Sequence, residues 1–194
     1  MSDTTEKTST LRVRPGTVRE IGVLNASIAR ILGLATGGKS PNVFTTLARH
    51  RPLFRKWLFF ASGLMPGGIL KRAETELVIL CVARLMRCEY EWDHHARLGR
   101  KAGLSAEAIA RVHDEALDSP LWSPRERALL RACEELHHRR ELGDEAWVEL
   151  TSVASVEEII ELCLLIGHYQ LLAMTLNSFK VPLDSEPIDP GAGR

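Results

Sequence analysis

The stretch AETELVILCVARLMRCEYEWDHHARLGRKAGL, residues 73–104, decides the fold. Within LVILCVARLM (77–86) Arg84 is the only charge, so a helix here would be apolar almost all round and belongs in a core. A buried strand is the competing assignment, but the Ala, Leu, Met and Arg content and the length of the run favour a helix. On the segment that follows, a rotation of about 100° per residue brings Cys88, Glu91 and His95 into an arc of about 60°. Trp92, Gly99 and Ala102 continue that face, while Asp93, Arg97 and Arg100 point elsewhere. A thiol, a carboxylate and an imidazole on a stripe of apolar and small residues form a candidate active site.

Outward from this stretch the chain reads as a succession of helices. Val18, Ile21, Leu24, Ile28, Ile31 and Leu32 recur at helical steps, predicting one amphipathic helix over Thr17–Leu34. A short helix is expected from Asn42 to Arg49 and a longer one from Arg51 to Met65, with Phe54, Trp57, Leu58 and Ala61 on its inner side. Gly103 has the position of a residue closing the helix before it. Ser105, Ser123 with Pro124 and Glu126, Asp144, and Ser155 with Glu158 mark four helix starts. Pro182 stops the last helix, and no segment shows the two-residue alternation of a hairpin. The expectation is an all-α chain with one domain over 16–184, a flexible tail at 1–15 and a loose tail at 185–194.

At 194 residues and 45% apolar content the chain is long enough for a well-buried core. Lys plus Arg and Asp plus Glu number 25 each, so the balance gives no preference for nucleic acid or an anionic membrane surface. Cys81, Cys88, Cys133 and Cys163 lie in helical segments without a CxxC pair, which reads as reduced thiols in a cytoplasm rather than a secreted disulfide framework. The polar N-terminus lacks the apolar region of a signal peptide, and no run is expected to reach the ~18 apolar residues of a membrane span. A cytoplasmic location is the expectation.

The spacing Glu76, eleven residues, Cys88, two residues, Glu91, three residues, His95 resembles the signature of the carboxymuconolactone decarboxylase and alkylhydroperoxidase-D-like superfamily. The resemblance extends from about Asn42 to about Asp184, through HRPLFRKWLFFASGLM, SPRERALLRACEEL and IGHYQLLAMTLNSFKVPLD. It implies a helical bundle of the alkylhydroperoxidase-D-like type. It also implies a chain break between Met86 and Cys88, setting Cys88 at a helix N-terminus, where the dipole favours thiolate. Peroxidase members carry a second cysteine where this chain has Glu91, so the similarity is to the decarboxylase-like branch.

Each residue keeps a bland reading beside the functional one. Cys88 is a small buried hydrophobe or a reactive thiol. Glu91 and His95, at i and i+4, are close enough to hydrogen-bond, as a surface contact or as an acid/base pair in a dry pocket. Glu76 favours a helix dipole or relays protons. His168 and Tyr169 are satisfied core residues or, with Trp92, line a substrate pocket. His94 is taken for a surface residue. A metal held by Glu76, Glu91, His95 and Cys88 is a weaker alternative, because neither paired cysteines nor an HExxH motif is present.

The leading expectation is a lyase without cofactor or metal, acting on a small lactone or keto-acid-like substrate, with His95 as general acid/base and Glu91 and Glu76 orienting it. Alternatives are a thiol peroxidase using Cys88 with an external reductant, and a non-catalytic, ligand-binding helical oligomer. The resemblance further implies a homo-oligomer, trimeric or hexameric.

Overall fold

The computed structural model describes residues 11–36, 40–114, 117 and 119–186, with the side chains of 35 and 36 excepted. Among the described residues there are ten helices and no strand. These are α1 (Val18–Ile21), α2 (Val23–Thr36), α3 (Asn42–Leu47), α4 (Arg51–Leu64), α5 (Arg72–Leu85), α6 (Glu89–Lys101), α7 (Ala106–His113), α8 (Pro124–Arg139), α9 (Asp144–Thr151) and α10 (Val156–Phe179). The all-α expectation holds.

The chain divides into two compact units, residues 1–55 with 176–194, and residues 56–175. In the first, the helix expected over Thr17–Leu34 is two helices, because Gly22 takes a φ of 81° and ends α1 after one turn. The N–H groups of Arg12 and Val13 donate to the carbonyl of Phe179 at 3.0 and 3.2 Å, and Asn42 N–H donates to Asp184 Oδ1 at 2.8 Å. Residues 1–10 and 187–194, the larger part of the two expected tails, lie outside the described residues.

The second unit is built on α5, which packs against α6, α7 and α8. Leu77, Val78, Ile79, Leu80 and Val82 are wholly buried, as a helix apolar on all sides must be. Its start is tied to two other helices by Arg125. That guanidinium meets Glu74 at 2.9 and 3.0 Å, Glu158 at 2.6 and 3.3 Å, and the Val153 carbonyl at 2.6 Å. The expected caps at Ser105, Ser123 and Ser155 form. Asp144 does not cap α9; it is the first helical residue, and Gly143 stands at the cap position.

Among the described residues α10, with a mean hydropathy of 1.7, is the one helix long and apolar enough to cross a membrane, and half of that stretch is buried within the protein.

Candidate active site

The break between α5 and α6 places the site. Arg87 adopts the left-handed region at φ 51°. Its N–H donates to the Arg84 carbonyl at 3.0 Å, and the next N–H, of Cys88, reaches back to Ala83 at 2.8 Å. This is the paired hydrogen-bond pattern of a Schellman ending, made without glycine. The chain turns, and Cys88 becomes the N-cap of α6.

α6 then lies close along α5. A Cβ on Gly99 would stand 3.7 Å from Glu76 Cβ, an ordinary contact, and 3.0 Å from Leu104 Cδ1, a tight one, so the missing side chain leaves room chiefly for Leu104. Gly103, at φ 102°, closes α6 as expected.

Across this contact His95 Nδ1 meets Glu76 Oε2 at 2.7 Å. Glu76 is 0% exposed and His95 5%. The other oxygen, Oε1, lies 2.5 Å from Arg72 Nη2, an ion pair at an angle outside hydrogen-bond geometry. A carboxylate facing a guanidinium accepts on its remaining oxygen, so Nδ1 carries the imidazole proton and Nε2 keeps its lone pair. Burial lowers the His95 pKa, Glu76 opposes this, and His94 and Arg72 add to the lowering. The ring is therefore neutral near pH 7.

The expected Glu91–His95 hydrogen bond is not made: both Glu91 carboxyl oxygens are buried, with the Cys88 thiol as the neighbouring polar group. Helical spacing brings two side chains near each other, but the carboxylate of the facing helix outcompetes the one a turn away. Burial raises the Glu91 pKa well above the carboxylate range, with the Cys88 thiol pulling the other way. An uncompensated carboxyl in a dry site protonates rather than ionises.

Cys88 is 1% exposed. Its pKa is pushed up to about 12, first by burial and then by the Glu91 charge, against the backbone N–H groups of Glu91 and Tyr90. The thiolate expected at a helix N-terminus is thus overruled by burial.

α10 and α4 supply the remaining wall. The Tyr169 ring stands edge-on to His95 at 5.1 Å between centroids. Its pKa is raised well above the ordinary phenol value by burial and then by Glu76 and Glu91, so the hydroxyl keeps its proton. His168 stacks on Trp57 at 5.9 Å, tilts against Phe60 at 5.5 Å, and is lowered by burial to about 4.

Of the residues expected here, the structure gathers Glu76, Cys88, Glu91, His95 and Tyr169, with His168 adjoining Tyr169 at 5.2 Å. Trp92 instead sets its ring against His113 of α7 at 5.5 Å. Arg72 was missed, although its place four residues before Glu76 on one helix was a legible signal. Phe60 was missed as well. No group of three or more His, Cys, Asp or Glu side chains among the described residues is arranged to hold a metal.

Residues 51–135 match the model of the Carboxymuconolactone decarboxylase family. No curated protein matches the chain. Among solved structures, the chain is similar to an uncharacterized peroxidase-related protein from Silicibacter sp. TM1040, with a TM-score of 0.79, 16% identity, and 95% and 96% of the two chains covered. It is also similar to the alkylhydroperoxidase AhpD core, an uncharacterized peroxidase-related protein from Ralstonia eutropha JMP134. There the TM-score is 0.77 at 19% identity, covering 89% of this chain and 93% of that one. The debrominase Bmp8 follows, with a TM-score of 0.73, 16% identity, and 89% and 92% covered. The chain thus has an AhpD-like helical fold, and its segment 51–135, which holds Glu76, Cys88, Glu91 and His95, matches the carboxymuconolactone decarboxylase family model.

Proposed function

We propose that this protein is a cofactor-independent enzyme that moves protons on a small lactone or keto-acid-like substrate, in a decarboxylation of the kind the family is named for. The fold itself is neutral on the point, since proteins of this shape are called peroxidase-related and debrominase. The observation that carries the reading is the buried Glu76–His95 pair at 2.7 Å.

Loss of CO₂ from a lactone carboxylate conjugated to an unsaturated system leaves a dienolate, and the reaction ends when one carbon takes a proton. His95 suits that transfer: Glu76 holds Nδ1–H, so the other nitrogen exchanges the proton with substrate. Burial keeps the ring deprotonated in the resting state, so Nε2 first takes a proton from water and, as a strong acid, then passes it to the dienolate carbon and returns to neutral. Glu76, fixed from behind by Arg72, stabilises the imidazolium in the manner of a triad carboxylate. Glu91, neutral through burial, donates a hydrogen bond to an oxygen on which negative charge develops. Tyr169 and His168 line the apolar side.

The thiol peroxidase alternative is less well supported. It needs an ionised, accessible thiol, and Cys88 is buried with a pKa of about 12.

The test is CO₂ release from carboxymuconolactone, or proton exchange at the carbon next to its carbonyl, by wild type and His95→Ala. Turnover by wild type that drops about 10²-fold or more in the variant is expected. Equal turnover of the two proteins would remove His95 from the chemistry.

A further inference from the structure

The wall beside the active-site imidazole contains a polar residue that packing alone does not explain. His168 of α10 stacks on Trp57 of α4 at 5.9 Å between ring centroids, tilts against Phe60 at 5.5 Å, and stands edge-on to Tyr169 at 5.2 Å. Three rings around one imidazole fix its plane. The side chain makes no hydrogen bond or ion pair to another described residue, and burial alone lowers its pKa, with no neighbouring charge contributing. A buried polar group without a partner is destabilising, and a leucine would pack there without that cost. His168 is 7% exposed, and neither ring nitrogen is among the polar atoms that packing seals off without a partner. Phe60, one ring outward, is 45% exposed. Tyr169, one ring inward, stands 5.1 Å from His95. The polar edge of His168 therefore lies between solvent and the catalytic imidazole, held in orientation and unused by the protein itself.

We propose, resting on the proton-transfer reading of this site, that His168 is a specificity-determining residue that donates a hydrogen bond to an uncharged carbonyl oxygen of the substrate. The imidazole is neutral above about pH 4, so one nitrogen carries a proton and the other a lone pair. No charged group acts on His168, and a carboxylate set against it would be buried without compensation. A lactone or ketone carbonyl brings an acceptor and no charge. Trp57 and Phe60 add apolar rings beside the donor, which suits a flat, unsaturated ring bearing that carbonyl.

The probe is butenolide, an uncharged unsaturated lactone that carries the carbonyl and lacks a carboxylate to lose. Binding to the full-length protein is followed by ligand-observed NMR and by the shifts of the histidine ring nitrogens. Wild type should bind butenolide with a shift of the His168 ring, and should bind furan, which has no carbonyl, about fivefold more weakly. His168→Leu should weaken butenolide binding about fivefold and leave furan unaffected, and His168→Gln, which restores an N–H donor, should recover part of the loss. No binding of butenolide by wild type, equal affinity in His168→Leu, or a His168 resonance that stays put at saturation would overturn the proposal. Should His168→Leu fail to fold, the wild-type ring shift and the Gln variant decide. Butenolide binding that depends on His168, in a protein that releases no CO₂ from carboxymuconolactone, would sink the decarboxylation alone. CO₂ release with KM unchanged in His168→Gln would sink the role of His168 alone.

Discussion

Arg72 and His95 grip opposite oxygens of one carboxylate. Glu76 Oε1 lies 2.5 Å from Arg72 Nη2 and Oε2 lies 2.7 Å from His95 Nδ1. The carboxylate is buried, and Arg72 leads out to solvent, so the negative charge inside is balanced by a guanidinium that remains partly hydrated.

The grip makes Glu76→Gln informative. The amide keeps the shape but weakens the Arg72 attraction and admits the wrong imidazole tautomer, so turnover should fall by about 10² or more while the fold persists. His94→Ala, on the neighbouring helical position, should have a small effect. Steady-state rates of the three proteins check this, and equal losses in Glu76→Gln and His94→Ala would place the chemistry elsewhere.

Cys88 should be slow to alkylate. A thiol at about 12 rather than 9 holds about 10³ times less thiolate at neutral pH than an ordinary cysteine. With Glu91 neutral in the fold, Glu91→Gln should leave the slow rate nearly unchanged, because burial is the first cause of the shift. Iodoacetamide kinetics followed at the Cys88 peptide measure both, and native Cys88 reacting as fast as in the unfolded chain would contradict the assignment.

Stability should fall on acidification below about pH 6.5. His168 is lowered from 6.5 to about 4 in the fold, so between those values the unfolded chain binds a proton that the folded one refuses. Its contribution is fully present above 6.5 and is lost as pH falls toward 4, with a slope of at most about 1.4 kcal/mol per unit. Denaturant melts across this range should show it, and His168→Asn should flatten the profile.

Arg125→Ala should destabilise the protein by about 3 kcal/mol or more, because it strands the buried Glu74 and frees the starts of α5 and α10 together. Chemical unfolding gives the figure directly. A loss under about 0.5 kcal/mol would mean the network behaves as a solvated surface pair.

A further copy of the chain is proposed to cover α10. Val156, Ile160, Leu164, Leu171 and Met174 fall on one helical stripe, all exposed, with Gly167 leaving open space in their midst. Sedimentation at micromolar concentration should find an oligomer, and Leu164→Glu should weaken it. A stable wild-type monomer would rule the assembly out.

The sequence by itself determined the helical class, because the apolar run of α5 and the serine caps of α7, α8 and α10 are local signals, readable wherever the rest of the chain lies. It also singled out Cys88, Glu91 and His95, since two turns of helix align them on one face, while Glu76 was marked by the family resemblance. Their surroundings were decided only in three dimensions. The α5–α6 break rests on an arginine in the left-handed region, which no residue preference announces. The partner of His95 is Glu76, nineteen residues away, and not the nearer Glu91, because the choice lies between facing helices, whose packing no local pattern states. The thiol of Cys88 is governed by burial more than by its helix dipole, and burial is a property of every element packed around it.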